Sequence, residues 1–266
     1  MVADGLPSPR HVSLRRLVPN FITTAALCCG VAALHFALKA EKDPEMWSRA
    51  LAAVTAAAIL DALDGRAARL LRVASPFGAT LDSMADFVAF GIAPAFLLFR
   101  WSLDQIEPLG FIVAVMYALC AALRLARFTA MAKRGKGSGP WGPHYFLGMP
   151  APGAAGAVLV PLLLDASKKL DLQLPVWGVA GNTVLIAVLM VSRLPVYSLK
   201  GVKVSRKLAV PLMVLVGAVV VAGTRDPWLT LAALGTTYLL TVPVSIATAR
   251  RIEKRAAAEA PKDVVR

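Results

Sequence analysis

Long apolar runs recur along this 266-residue chain, at about 20–38, 47–71, 77–99, 107–127, 147–164, 175–192, 208–223 and 227–248. Each approaches the ~20 residues that a helix needs to cross a hydrocarbon core of ~30 Å. The composition agrees. Hydrophobic residues make up 58% of the chain and the mean hydropathy is +0.65, whereas a soluble domain averages about 45–50% apolar. The expected fold is all-α, a polytopic membrane bundle of eight transmembrane helices. The fifth run is the least regular, because Pro150, Pro152 and Pro161 interrupt it. The loops are too short to separate two folding units, so residues 1–266 are read as one membrane domain. Within it, 1–16 form a polar basic N-terminus and 250–266 a charged tail that extends the last helix.

A net charge of +13 suggests a nucleic-acid partner until its placement is examined. The basic residues collect at the ends of apolar runs, and no basic stripe is interleaved with aromatics, so no nucleic-acid binding is expected. With the N-terminus inside, roughly three-quarters of the 29 Lys and Arg fall on the cytoplasmic side of an eight-span arrangement. Both termini are therefore expected in the cytoplasm, with the protein in the cytoplasmic (inner) membrane. Cys28, Cys29 and Cys120 lie inside apolar runs without a CxxC pattern and read as small core residues. The first apolar run has no small-residue cleavage pattern after it, so no cleavable signal peptide is expected. His11, His35 and His144 show no ligand spacing, and Ser75 reads as a turn residue.

Four aspartates interrupt this apolar background. They occur in Asp61-Ala-Leu-Asp64-Gly65-Arg-Ala-Ala68-Arg69 and, eight residues on, in Gly78-Ala-Thr-Leu-Asp82-Ser-Met-Ala-Asp86. A carboxylate at bilayer depth costs roughly 3 kcal/mol on an insertion scale, so four cost on the order of 10 kcal/mol before their mutual repulsion. Such a cluster persists where water or cations reach it. Asp61, Asp64, Gly65 and Ala68 are spaced to share one helix face, as are Gly78, Asp82 and Asp86. The turn between the two arms falls at Val73 to Pro76, giving a helical hairpin with two carboxylates on each arm. Four converging carboxylates can hold two divalent cations, and oxygen-only ligation selects Mg²⁺ or Mn²⁺ over Zn²⁺. Gly65 and Gly78 remove side chains where a flat ring or phosphate approaches the backbone. Arg69 presents a planar fork to phosphate oxygens. Two metals and an arginine suit phosphoryl-type transfer. Salt bridges from the aspartates to Arg66, Arg69 and Arg72 are the competing explanation.

The pattern Asp61-x2-Asp64-Gly65-x2-Ala68-Arg69-x8-Gly78-x3-Asp82-x3-Asp86 resembles the motif of the CDP-alcohol phosphotransferases. The resemblance implies an integral-membrane enzyme that cleaves the pyrophosphate of a CDP-linked donor and passes the phosphoryl-linked part to an alcohol, releasing CMP. It implies that Asp61, Asp64, Asp82 and Asp86 bind two metals and that Asp86 also acts as general base. Gly65, Ala68 and Gly78 would shape the cytidine pocket, and Arg69 would contact the diphosphate. Flanking residues, including Phe77 to Ala95, Ala122 to Phe128 and Phe146 to Pro152, are similar to the bacterial integral-membrane phosphatidylserine synthase branch of the family. The implied substrates are CDP-diacylglycerol and L-serine, and the implied assembly is a homodimer. Ser83 after Asp82 and Phe87 after Asp86 argue against the phosphatidylglycerophosphate synthase branch. A phosphatidylinositol-phosphate synthase is a further alternative. From another class, an ion-coupled transporter would spread its polar residues through the membrane depth and leave Gly65 and Arg69 without a task.

An acceptor carrying a carboxylate requires a cation. Arg124, Arg127 and Lys200 lie at the cytoplasmic level expected for the aspartates, and each also suits positive-inside anchoring. Asn20 and Thr23 are candidates for nucleotide contact. Asn20 equally suits the N-cap of the first span.

Overall fold

The computed structural model describes residues 14–71, 75–133, 145–167, 169, 174–192, 194–197 and 206–259. The first apolar run is helix α1, Leu14–Lys39, and the second is α2, Glu45–Leu71. The third is a continuous helical span with a change of pitch: α3, Pro76–Asp86, a π-helical segment, Phe87–Ile92, and α4, Ala93–Trp101. A 3₁₀ turn, Leu103–Ile106, leads into α5, Leu109–Lys133. Strand β1, Tyr145–Leu147, precedes two short helices, α6, Ala151–Val158, and α7, Val160–Ser167. Then follow α8, Val176–Val191, strand β2, Pro195–Tyr197, α9, Arg206–Arg225, and α10, Pro227–Glu259.

Five of these segments are long and apolar enough to cross a membrane: Leu17–Lys39, Glu45–Leu71, Pro76–Trp101, Leu109–Met131 and Pro227–Ala249. Their surfaces are apolar where a soluble protein would be polar. Phe21 is 68% exposed, Leu70 86% and Leu240 68%. This is a multi-pass membrane protein, and those side chains are the ones a lipid solvent accommodates. Alanines fill the helix contacts. Ala33, Ala50, Ala57 and Ala93 are fully buried, and small side chains let backbones approach where apolar burial alone gives little drive to associate. Helix α1 packs chiefly on α2 and also on α3, the π-helical segment and α4; α10 packs on α6, α7 and α9.

Three sequence expectations change. Helix α1 begins at Leu14, so Asn20 lies within the helix beside Pro19 and is not its N-cap. The apolar pattern starts after Pro19, but the backbone accommodates that proline and the helix runs back into the basic segment. The expected fifth span, 147–164, is not one continuous helix: the end of β1 leads into the two eight-residue helices α6 and α7. Pro161 has no N–H to give the carbonyl four residues back, that of Ala157. Asn182 of α8 takes over, with its Nδ2 at 3.4 Å from the Ala157 oxygen and 3.1 Å from that of Val158. The third change is the small antiparallel ribbon. Tyr145 pairs with Tyr197, Phe146 with Val196 and Leu147 with Pro195, all between distant parts of the chain. Gly148 ends β1 at φ 76°, and a Cβ there would lie 2.7 Å from the Met190 carbonyl oxygen, so both conformation and space require glycine. Helix α10 continues past the apolar run into the charged segment, to Glu259.

The start of α10 is fixed by Asp226. Its Oδ1 accepts from the Leu229 N–H at 3.0 Å, and Lys169 Nζ lies 3.3 Å from its other oxygen. The backbone hydrogen bond, with help from Lys169, holds this carboxyl below the usual aspartate range.

Candidate active site

Helices α2 and α3 bring the motif together. Asp61, Asp64 and Asp82 each offer a carboxylate oxygen within 4.8 Å of the other two. Asp86, one turn beyond Asp82, contacts Asp61, and all four carboxylates line one small gap floored by Ala26, Ala57, Ala85, Ala89 and Phe90. Asp64 is the most enclosed, at 5% exposure. Thr23 of α1 reaches across to it, with Oγ1 2.6 Å from Asp64 Oδ2.

The competing salt-bridge explanation finds no support here. Among the described residues no ion pair reaches the four aspartates. Arg66 and Arg69 are exposed, and Arg69 Nε donates to the Gly65 carbonyl at 2.9 Å. Arg72 lies outside the described residues. One hydrogen bond to a charged group returns about 1.5–3 kcal/mol, too little for clustered carboxylates in an apolar bundle. The donor set fits a hard divalent cation, because every candidate ligand atom is a carboxylate oxygen.

Beside the cluster lies a cleft of about 200 Å³. Asp64 and Asp82 form one end. The rest of its wall includes Asn20, Thr23, Gly65, Ala68 and Gly78, which are five of the six sequence-derived nucleotide candidates. The two glycines act differently. A Cβ on Gly65 would meet no atom within 4 Å, so the open side of α2 faces the cleft there. A Cβ on Gly78 would come within 2.8 Å of Asn20 Oδ1 and 3.1 Å of Ser75 Oγ, so glycine lets α1 close onto the start of α3. Ser75 proves to be more than a turn residue. It is the N-cap of α3, its Oγ accepting from the Gly78 N–H at 3.0 Å, and it lines the cleft. Ser-Pro before a helical run was the available signal.

The π-helical segment follows directly on Asp86 and has a chemical cause downstream. Pro94 cannot donate to the Phe90 carbonyl four residues back. Tyr117 of α5, fully buried, donates its hydroxyl to that oxygen at 3.0 Å. The irregular pitch that follows Asp86 is thus pinned from a neighbouring helix.

The acceptor candidates separate. Arg127 Nη1 donates to the Val191 carbonyl at 3.0 Å, at the C-terminus of α8. Among the described residues Arg124 makes no ion pair; its guanidinium lies 5.9 Å from the Phe128 ring centroid and within electrostatic reach of Asp86. Lys200 lies outside the described residues.

Comparison with known proteins decides the family. The model described as CDP-alcohol phosphatidyltransferase matches residues 16–194, which is most of the chain and the whole of this site. The chain belongs to the CDP-alcohol phosphatidyltransferase family. It is a membrane transferase of phospholipid biosynthesis. A second family description, CDP-alcohol phosphatidyltransferase 2, matches residues 207–243. Among similar proteins is the CDP-diacylglycerol–serine O-phosphatidyltransferase of Mycobacterium bovis. It is 33% identical over 247 residues, covering 92% of this chain and 84% of the relative. The protein of that name from Helicobacter pylori is 32% identical over 213 residues, 77% of this chain and 82% of the relative. That from Methanocaldococcus jannaschii is 43% identical over 102 residues, 38% of this chain and 43% of the relative.

A direct test of the cleft follows from Gly65. In Gly65→Leu the helix gains about 0.5–1 kcal/mol in backbone propensity, while the new side chain enters the cleft. The expected result is an unchanged or raised Tm with CDP binding by calorimetry weakened at least tenfold. Normal CDP affinity would place the nucleotide elsewhere.

Proposed function

We propose that this protein transfers the phosphatidyl group of CDP-diacylglycerol to the hydroxyl of L-serine, giving phosphatidylserine and CMP. The observation that carries the reading is the carboxylate cluster opening onto a cleft bared by Gly65 and walled by Asn20 and Thr23. The names of the relatives support serine as acceptor. So do Ser83 and Phe87, which depart from the pattern of the phosphatidylglycerophosphate branch.

In this reading Asp61, Asp64, Asp82 and Asp86 would hold two Mg²⁺ or Mn²⁺ ions. Such ions would supply neutralisation of the charge that develops on phosphate oxygens. The chain's own residues do the rest. Gly65, Ala68, Gly78, Asn20 and Thr23 seat the cytidine. Arg69 contacts the diphosphate with the donors that its bond to Gly65 leaves free. Asp86 takes the proton of the serine hydroxyl as the serine oxygen bonds to the β-phosphorus. The bond from that phosphorus to the CMP oxygen breaks, and CMP leaves. Arg124 holds the serine carboxylate, since Arg127 is engaged at the end of α8.

The same reading takes residues 1–266 as one membrane domain of eight spans with both ends in the cytoplasm. The active site faces the cytoplasm at the inner membrane, where the donor's acyl chains stay in the cytoplasmic leaflet. By family resemblance the protein works as a homodimer. An acceptor panel tests the assignment. Purified protein with CDP-diacylglycerol is given serine, glycerol 3-phosphate, inositol phosphate or choline. Phosphatidylserine is the expected product, and any other lipid product in place of it overturns the serine assignment.

A further inference from the structure

Among the described residues, Nε of Arg124 and the hydroxyl of Tyr238 are buried without a hydrogen-bond partner. They belong to helices far apart in sequence, α5 and α10, yet their side chains lie within electrostatic reach of each other. Asp86 interacts with the same guanidinium. The packing that sets Tyr238 there is tight. A Cβ on Gly235 would lie 2.9 Å from the Gly156 carbonyl oxygen, and one on Gly153 would lie 2.8 Å from Cε1 of the Tyr238 ring. Helices α6 and α10 therefore approach through glycines, and the ring of Tyr238 lies against Gly153. The ring also walls an apolar cavity of about 260 Å³ together with Leu51, Phe90, Gly153 and Leu234. An apolar wall offers the hydroxyl nothing to bond.

A buried donor without a partner is costly, and two of them on side chains within electrostatic reach of each other suit a shared acceptor. Arg Nε and Nη present a planar fork that matches a carboxylate, and a phenol O–H adds a third donor. The Tyr117 hydroxyl, though within electrostatic reach of Arg124, donates to the Phe90 carbonyl and is not available. We infer that Tyr238 is a specificity-determining residue, its hydroxyl joining Arg124 in holding the carboxylate of the amino-acid acceptor beside Asp86. The inference rests on the proposed reading of the acceptor as serine. It assigns a role to the C-terminal helix, which carries none of the motif residues.

Tyr238→Phe removes only the unpartnered hydroxyl. Its KM for serine should rise about tenfold or more, with the KM for CDP-diacylglycerol within twofold of the parent. The preference for serine over ethanolamine, which is serine without its carboxylate, should fall by the same factor. The Tm should be unchanged or higher, because no existing bond is lost. Gly153→Ala, which crowds the ring, should raise the serine KM in the same direction. If the parent protein makes no phosphatidylserine, the acceptor reading itself fails. If it does, and Tyr238→Phe leaves the serine KM unchanged, or weakens serine and ethanolamine equally, the role of Tyr238 is refuted while the acceptor reading stands.

Discussion

Asp86→Asn is expected to abolish phosphatidyl transfer while leaving the donor bound. Asparagine matches aspartate in size but cannot accept the proton of an alcohol. Loss of a general base costs about 10²–10⁴-fold, and weakened metal ligation adds to it, so a fall on the order of 10³-fold or more is expected. Donor affinity should survive because Asp86 lines the carboxylate gap and not the cleft beside it; Asp64 and Asp82 are the members that line both. Asp64→Asn and Asp82→Asn should therefore lose CDP-diacylglycerol affinity and turnover together. The contrast is read from donor binding and single-turnover rates of the three variants. Retained turnover in Asp86→Asn would refute its assignment as base.

Chelation is expected to be as damaging as any substitution. With EDTA, activity should fall to background, and Mg²⁺ or Mn²⁺ should restore it. Zn²⁺ should restore it poorly, because no nitrogen or sulfur ligand stands in the cluster. The ions should also stabilise the fold. Binding at a hundred times Kd contributes about 2.7 kcal/mol, and here it would also relieve repulsion among carboxylates that no ion pair among the described residues offsets. A Tm that rises with Mg²⁺ in the parent and not in Asp82→Asn would tie the effect to the cluster. A chelator-insensitive enzyme would contradict the metal site.

The carboxylates and the glycines of the cleft were legible because helical spacing is a local property. Asp61, Asp64, Gly65 and Ala68 must share a face wherever α2 lies, and the motif's two halves needed only one hairpin to meet. Ser75 was partly legible, since a serine before a proline is a cap signal, although its place in the cleft depends on how α1 packs. The features that were missed depend on residues far apart in sequence. The break between α6 and α7 can be suspected from Pro161, but its repair by Asn182 cannot. The π-helical segment after Asp86 follows from Pro94 only once Tyr117 is known to supply the missing donor. Arg124 and Arg127 look alike in sequence, three residues apart on one helix. Only the tertiary structure shows Arg127 tied to the Val191 carbonyl and Arg124 with a buried Nε that has no partner among the described residues. The start of α1 was misread because Pro19 resembles a helix boundary, whereas the helix tolerates it and places Asn20 and Thr23 over the site.

The central claim is that two neighbouring helices gather four carboxylates into a divalent-cation site. Titration of the purified protein with Mn²⁺, followed by electron paramagnetic resonance, tests it most directly. The account predicts two bound ions per chain, and loss of both when Asp61, Asp64, Asp82 and Asp86 are all replaced by Asn. Equal Mn²⁺ binding by the parent and the fourfold variant would contradict it.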